Sequence, residues 1–154
     1  MADTLFEFSL ADEAATGVLA TQIAQRLQPG DTVLLTGEIG AGKSAFARAL
    51  IRARLGRIED VPSPTFTLVQ TYEDDAGDIW HCDLYRLTHP DEALELGLDE
   101  AFETAICLIE WPDRLGDVAP TTALSLAFEA QEDKHHVTIT GLTPWANRLG
   151  GLHG

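Results

Sequence analysis

The stretch Thr36-Gly37-Glu38-Ile39-Gly40-Ala41-Gly42-Lys43-Ser44 decides how the rest of this chain is organised. From Gly37 onward it has the spacing G-x-x-x-x-G-K-[ST] of a phosphate-binding loop. Its glycines allow backbone turns that a Cβ would forbid, so that successive N–H groups point at phosphate oxygens. Lys43 adds a positive charge for the β- and γ-phosphates, and Ser44 offers a hydroxyl to Mg²⁺ at the start of a helix. The loop is therefore predicted to bind a nucleoside triphosphate.

The sequence on either side of this loop has the strand and the helix that the motif requires. Before it, residues 32–35 form a short apolar run typical of a buried parallel strand. After it, Phe46 and Leu50 follow a helical spacing, and Gly56 ends the pattern. We expect residues 1–154 to form a single domain of the α/β class, with a sheet like that of the P-loop NTPases. Central parallel strands would carry antiparallel hairpins, and helices would flank the sheet.

Composition narrows the classes of function. The formal net charge of −15 disfavours a large nucleic-acid footprint, because phosphate contacts need clustered Lys and Arg. Arg48 and Arg52 share one face of the helix after the loop. This basic face is either a solvated surface or a docking surface for an acidic partner, and the sequence favours neither. No apolar run approaches membrane-spanning length and the N-terminus lacks signal-peptide order, so we expect a cytoplasmic protein without membrane contact. Cys82 and Cys107 are expected to be reduced and buried.

Further elements are predicted from patterning and turn residues. Asp12 or Ser9 caps the first predicted helix, whose acidic start at Asp12 and Glu13 either lies near the nucleotide or serves only the helix dipole. The predicted elements are an edge strand at residues 5–8, a helix from about residue 12 to Leu27, a hairpin of residues 66–72 and 78–83, a short helix from Pro90 to Leu96, a second hairpin of residues 123–129 and 137–140, and a short helix with a frayed end at residues 144–154.

A segment with two prolines, residues 61–65, follows the loop helix and cannot continue it. Its Thr65, with Ser63 as the second choice, is the candidate for sensing the γ-phosphate and Mg²⁺, by analogy with switch loops. Further along, Asp83 stands near the end of a predicted strand, where a carboxylate can hold Mg²⁺ through water or orient the attacking water. His81 is a candidate ligand or base, although a lone His on a strand is more often a packed, hydrogen-bonded residue.

A second acidic position follows the apolar run at residues 106–109. Glu110 stands there at the carboxyl end of a predicted strand, the Walker-B arrangement for binding Mg²⁺ directly or through water. Two cations keep open roles. Arg86 pairs with a carboxylate or contacts phosphate, and Lys134 reaches the nucleotide or is a solvated turn residue.

Together these motifs resemble the bacterial TsaE (YjeE) family. The residues that carry the resemblance are the loop from Gly37 to Ser44, Ser63-Pro64-Thr65-Phe66-Thr67-Leu68-Val69, His81-x-Asp83-Leu84-Tyr85-Arg86-Leu87 and Glu110-Trp111-Pro112. They span most of the chain in the order found in that family. Ser44 stands where the family's loop more usually has Thr, and both residues carry the hydroxyl.

The resemblance implies an ATPase, with ATP and Mg²⁺ as cofactors, that works with TsaB and TsaD in making N6-threonylcarbamoyladenosine at position 37 of ANN-reading tRNAs. It implies that tRNA is met only through those partners. It further implies phosphate contact by Lys43, Mg²⁺ binding by Ser44 and Glu110, and a switch-like loop at Thr65. Asp83 would be the catalytic or metal-associated carboxylate. The resemblance also places Trp111 beside the nucleotide and Glu13 near the base.

Three other functions share parts of this sequence pattern. A GTPase that reads guanine through Asn-Lys-x-Asp is excluded, because the single Asn, Asn147, is followed by Arg148. A small-molecule kinase usually needs an Arg-rich lid, for which few cations remain beyond the loop helix. A nucleotide-dependent docking module with negligible hydrolysis would use ATP only to order the loop around Thr65.

Overall fold

The structure is a computed structural model that describes residues 3–38, 40–56 and 69–152. Its elements are β1 (Asp3–Leu10), α1 (Glu13–Ala24), β2 (Thr32–Thr36), α2 (Lys43–Leu55), β3 (Val69–Asp74), β4 (Gly77–Asp83), α3 (Asp91–Glu95), α4 (Leu98–Thr104), β5 (Ile106–Glu110), a 3-10 helix (Pro112–Val118), β6 (Leu124–Ala130), β7 (His135–Gly141) and α5 (Thr143–Arg148).

The strands form one seven-stranded sheet in the order β1-β7-β6-β2-β5-β4-β3. Strand β2 lies at its centre and pairs in parallel with β5 and β6, and β4 pairs in parallel with β5. The outer pairs β1–β7, β6–β7 and β3–β4 are antiparallel. This confirms the predicted parallel centre with antiparallel additions. Because β6, β2, β5 and β4 run the same way, their carboxyl ends meet at one edge of the sheet.

Two hydrophobic layers cover the sheet, one on each face. Along β5 the side chains alternate between them: Ile106 and Leu108 join one core cluster, and Cys107 and Ile109 join the other. Helices α1 and α2 cover the first face, where Phe46 is fully buried. Every residue of β5 is buried, as expected for a strand covered on both faces.

Most predicted elements are present, with differences at their ends. Asp12 is the residue that caps α1, and its carboxylate accepts from the Ala15 N–H at 2.9 Å. Helix α1 ends at Ala24 rather than near Leu27, although Leu27 is still buried. Helix α4 was not predicted, because the glycine after Leu96 is typical of the end of a helix. In the structure Gly97 has φ +85° and serves as the residue before the next helix.

One predicted hairpin is described only in part, and the C-terminal tail differs from its prediction. The first strand of the predicted hairpin is described from Val69 onward, and residues 66–68 lie outside the described residues. In the tail that was expected to fray, Leu149 and Leu152 are buried. Over the described ranges, no helix combines the length and apolar character needed to cross a membrane.

The side chain of Arg54 joins three elements on the α1–α2 face. Its Nε donates to Asp74 Oδ2 at 2.8 Å, and its Nη1 donates to the carbonyls of Ala24 at 3.0 Å and Leu27 at 2.9 Å. These carbonyls lie where α1 ends, so the guanidinium caps that helix and ties it to the β3–β4 hairpin. The ion pair is largely buried, with side-chain exposures of 14% and 7%.

Replacing Arg54 with Ala should lower the free energy of unfolding by about 2–3 kcal/mol, because it leaves Asp74 Oδ2 and the Leu27 carbonyl without their charged donor in a largely buried pair. The matched control is Arg114→Ala, which removes an exposed ion pair with Asp113 and should cost less than about 1 kcal/mol. Urea unfolding followed by circular dichroism measures both. Equal losses in the two variants would contradict the structural role of Arg54.

Both cysteines are free and buried, as predicted. Burial raises the pKa of Cys107 to about 12. Burial, together with the neighbouring Cys107 thiol, raises the pKa of Cys82 well above its ordinary value. We therefore expect no reaction of the native protein with iodoacetamide at about pH 8, where roughly one Cys107 thiol in ten thousand is ionised. Mass spectrometry should find both thiols alkylated once guanidinium chloride unfolds the chain. Rapid alkylation of the native protein would contradict this packing.

Candidate functional site

The loop between β2 and α2 is built around glycines in conformations that other residues avoid. Gly42 has φ +108° and directly precedes α2. Gly37 has φ +139°, and a Cβ there would stand 2.5 Å from the carbonyl oxygen of Phe128 in β6. The loop therefore passes against the neighbouring strand with no room for a side chain. The loop leads directly into α2, a 13-residue helix whose N-terminal dipole favours an anion.

Lys43 is folded back onto this loop. Its Nζ donates to the carbonyl of Gly37 at 2.6 Å and lies 3.6 Å from the ring centroid of Trp111. The residue is only 5% exposed. Burial lowers the pKa of Lys43, while the nearby charges of Glu110, Asp83 and Asp113 act in the opposite direction. The side chain is thus a desolvated donor with acidic neighbours, placed where an anion would relieve its desolvation.

Glu110 is the central acid of the site. It is 2% exposed, and both of its carboxylate oxygens have partners. Oε1 accepts from the Ser44 hydroxyl at 2.9 Å, and Oε2 lies 2.7 Å from His81 Nε2. These bonds link the first turn of α2 to the end of β5 and to the interior of β4. The last residue of β5 is therefore fixed against the loop helix.

Asp83 lies beside Glu110 at the same edge. The two residues are register partners in the β4–β5 pair, and the Leu84 N–H donates to the Glu110 carbonyl at 3.1 Å. The carboxylate of Asp83 accepts from the Tyr85 N–H at 3.1 Å, and the residue is 7% exposed. Two acids therefore converge next to the loop, as the carboxyl ends of neighbouring parallel strands require.

Trp111 turns the chain sharply away from β5. Its φ of +60° is the only positive value of a non-glycine residue in the described chain. Such a conformation costs roughly 1–2 kcal/mol and persists where surrounding contacts hold it. Here the indole ring of Trp111 contacts the ammonium of Lys43 and the ring of Tyr85. The centroids of the two aromatic rings are 4.9 Å apart.

These side chains line a cavity of about 400 Å³. The lining residues are Glu13, Gly40, Gly42, Lys43, Ser44, Ala45, Asp83, Tyr85, Glu110, Trp111 and His135. A second groove of about 350 Å³ lies between the start of α1 and the β6–β7 turn. It shares four lining residues with the cavity: Glu13, Gly42, Ala45 and His135. The two spaces are therefore adjacent parts of one elongated site.

Most of the predicted site residues lie in the described part of the chain, and several of them line the cavity. The structure brings together Lys43, Ser44, Asp83 and Glu110, and it puts Glu13 and Trp111 in the same cavity wall. Ile39, Ser63 and Thr65 lie outside the described residues. Arg86 is exposed beyond the end of β4, and Lys134 is an exposed turn residue at the rim of the second groove. His81 is a fully buried partner of Glu110 rather than a cavity-lining group.

Sequence reasoning missed three residues of the cavity wall: Ala45, which directly follows the loop, and the more distant His135 and Tyr85. His135 begins β7 beside the loop, and a Cβ on Gly42 would stand 3.2 Å from its Nδ1. The strand order could have indicated His135. Because β6 runs parallel to β2, both strands end at the same edge of the sheet, and the turn after β6 therefore lies beside the loop after β2. Tyr85 follows the catalytic candidate Asp83 by two residues, which places it at the same edge.

The strand, the glycine loop, the helix and the acid on the next strand define a phosphate-binding-loop protein of the α/β class. A family model described as "Threonylcarbamoyl adenosine biosynthesis protein TsaE" matches residues 10–138. The chain belongs to the TsaE family, and the resemblance inferred from its motifs is confirmed.

Individual relatives agree with this assignment. The tRNA threonylcarbamoyladenosine biosynthesis protein TsaE of Rickettsia bellii is 40% identical over 132 residues, which cover 85% of this chain and 92% of the relative. The protein of the same name from Bacillus subtilis is 35% identical over 129 residues, 82% of this chain and 80% of the relative. The crystal structure of Bacillus subtilis YdiB superposes with a TM-score of 0.79 at 28% identity and covers 97% of this chain and 93% of that chain.

The close approach at Gly37 gives a test of the loop. Gly37→Ala should lower the free energy of unfolding by about 3 kcal/mol or more, because it adds a backbone clash to an unfavourable φ. Gly40→Ala is the matched control. Gly40 has φ +85° but nothing within 4 Å of its Cβ position, so that it should lose only about 1–2 kcal/mol. Denaturant unfolding measures both, and equal losses would contradict the contact between the loop and β6.

Proposed function

We propose that this chain is a Mg²⁺-dependent ATP-binding and hydrolysing protein that supports a TsaB–TsaD pair in forming N6-threonylcarbamoyladenosine on tRNA. The observation that carries the nucleotide part is the hydrogen bond from Ser44 to Glu110 beside the buried ammonium of Lys43. The tRNA-modification part is supported by membership of the TsaE family and by the names of the relatives. The partner proteins come from the motif resemblance.

Lys43 and the loop amides would bind the phosphates. In the structure the ammonium is held by one carbonyl and an aromatic ring, so a phosphate oxygen offers it a stronger, charge-assisted partner. If the ammonium turned from Gly37 toward the phosphates, it would exchange a neutral carbonyl acceptor for an anionic oxygen. The glycines at positions 40 and 42 keep the backbone close enough for direct N–H contacts.

Ser44 and Glu110 fit a magnesium site. Mg²⁺ prefers oxygen ligands and is commonly held by one or two protein groups together with phosphate oxygens. The Ser44 hydroxyl donates its single hydrogen to Glu110, which leaves its lone pairs available for a cation. An ion held by Ser44 and Glu110 would supply positive charge against the negative charge that develops on the phosphates during phosphoryl transfer.

The nucleobase would enter the second groove. Its walls combine apolar surface from Leu10 and Ala45 with the carboxylate of Glu13, which can accept from an exocyclic amino group such as that of adenine. Lys134 lies at the rim of the same groove and is available to the nucleotide's sugar or phosphate side.

Asp83 would act on the attacking water. Its carboxylate faces the cavity one strand away from Glu110, and the Tyr85 N–H holds its Oδ1 in place. A water held by this carboxylate would be oriented toward the γ-phosphate. As the water oxygen bonds to the γ-phosphorus, the bond from that phosphorus to the bridging oxygen would break, ADP would leave with that oxygen, and the water would pass its proton to Asp83. The strongly acidic surface fits a protein that leaves tRNA contact to its partners, and the proposed role is a cytoplasmic one.

Two substitutions separate binding from turnover. Lys43→Ala should weaken ATP binding at least about 100-fold, because it removes the only lysine of the loop and a charge-assisted phosphate contact. Asp83→Asn should leave ATP affinity within about threefold and lower the hydrolysis rate at least about 100-fold. Calorimetric titration measures binding, and phosphate release measures turnover.

The same assay with purified TsaB and TsaD present tests the partner part. Strong stimulation of wild-type hydrolysis, absent in Asp83→Asn, is the expected result. ATP binding without hydrolysis, alone or with the pair, would favour the docking module instead. Phosphorylation of a small molecule would favour the kinase, and normal turnover by Asp83→Asn would contradict the role of that carboxylate.

A further inference from the structure

His81 is a fully buried polar residue that the mechanism above leaves without a function. It lies in the middle of β4, opposite Leu108 of β5, and none of its surface is exposed. By strand alternation it shares a face with Asp83, on the side covered by α2. Its only described hydrogen-bond partner is Glu110, at 2.7 Å from Nε2, and its Nδ1 has no partner among the described residues.

The chemistry of the two partners fixes which nitrogen carries the hydrogen. A carboxylate only accepts, so Nε2 must donate to Glu110 Oε2. The ring therefore presents an N–H to the acid and leaves Nδ1 as the buried atom without a partner. Leaving one ring atom unsatisfied in the core is costly, and an apolar residue of similar volume would avoid that cost. The hydrogen bond to Glu110 is therefore the interaction that favours histidine at this position.

That bond decides where the other carboxylate oxygen points. With Oε2 held by His81, Oε1 is directed at the Ser44 hydroxyl on α2. Without His81 the carboxylate could turn about its last torsion, and terminal carboxylate torsions have broad minima. Groups that hold a metal ligand from behind typically change metal affinity or activity by 10–100-fold when they are removed.

We infer that His81 is a positioning residue that sets the affinity of the nucleotide site for magnesium by holding Glu110 in the orientation that orders the Ser44 hydroxyl. The inference rests on the proposed function, because it concerns the magnesium of the same site. His81 touches neither nucleotide nor metal and acts only through Glu110.

Three substitutions at one position test it. His81→Gln can place an amide N–H where Nε2 stands, His81→Asn is polar but too short to reach Glu110, and His81→Leu fills the space without a donor. The quantity measured is the ratio of the affinities for a non-hydrolysable ATP analogue with and without Mg²⁺, by calorimetric titration. We expect the ratio to fall about 10–100-fold in the Leu and Asn variants and to stay within about threefold of wild type in the Gln variant.

Affinity without Mg²⁺ should be unchanged in all three variants, since it depends on Lys43 and the loop. Thermal unfolding checks that each variant folds, and the comparison of Gln with Asn stands even if the Leu variant does not fold. A second comparison uses Glu110→Ala, in which His81→Leu should change the ratio less than twofold further, because the acid through which it acts is gone.

The outcomes are distinguishable. Folded Leu and Asn variants with the wild-type ratio would overturn the inference and leave His81 as a core residue. Equal losses in the Gln and Asn variants would also overturn it, because the donor would not be what matters. A wild-type protein that binds the analogue equally well with and without Mg²⁺ would overturn the inference while preserving the nucleotide site. Failure of the wild type to bind the analogue at all would instead refute the proposed function.

Discussion

The hydrogen bond between Ser44 and Glu110 is the constraint on which the rest of the site depends. It joins the first turn of the loop helix to the last residue of a central strand, across the edge where four parallel strands end. Both elements are rigid: β5 is buried along its whole length, and α2 packs Phe46 and Leu50 into the core. The glycine loop starts from the central strand β2 and ends in α2, so both of its ends are fixed, and its residues Gly37, Gly40 and Gly42 adopt positive φ values.

Lys43 shows what this rigidity does to the charges of the site. The ammonium is desolvated between the Gly37 carbonyl and the Trp111 ring, with three carboxylates near it. Trp111 forms that contact with its backbone in the left-handed region, directly after Glu110. The site thus holds its main cation on one carbonyl and one aromatic ring, and under the proposed function a phosphate would meet a donor that is already largely desolvated.

The sequence predicts those parts of the fold that depend on interactions between residues close together in the chain. The strand–loop–helix unit followed from the glycine spacing and the apolar residues around it, and the acid at Glu110 followed from the run before it. The contacts that complete the site could not be obtained in the same way. The approach of His135 depends on β7 returning beside the loop, and the bond between His81 and Glu110 depends on which strands pair. Helix α4 was missed because Gly97 ends one helix and starts the next, which no local rule distinguishes.

A crystal structure of the chain with Mg²⁺ and a non-hydrolysable ATP analogue tests the central claim most directly. The account predicts that the metal contacts Ser44 Oγ on the side of Glu110, and that Lys43 Nζ has left Gly37 and Trp111 for the β- and γ-phosphates. It also predicts that the base lies in the groove beside Glu13. A nucleotide bound elsewhere on the sheet, or a metal held away from Ser44 with Lys43 still bonded to Gly37, would contradict it.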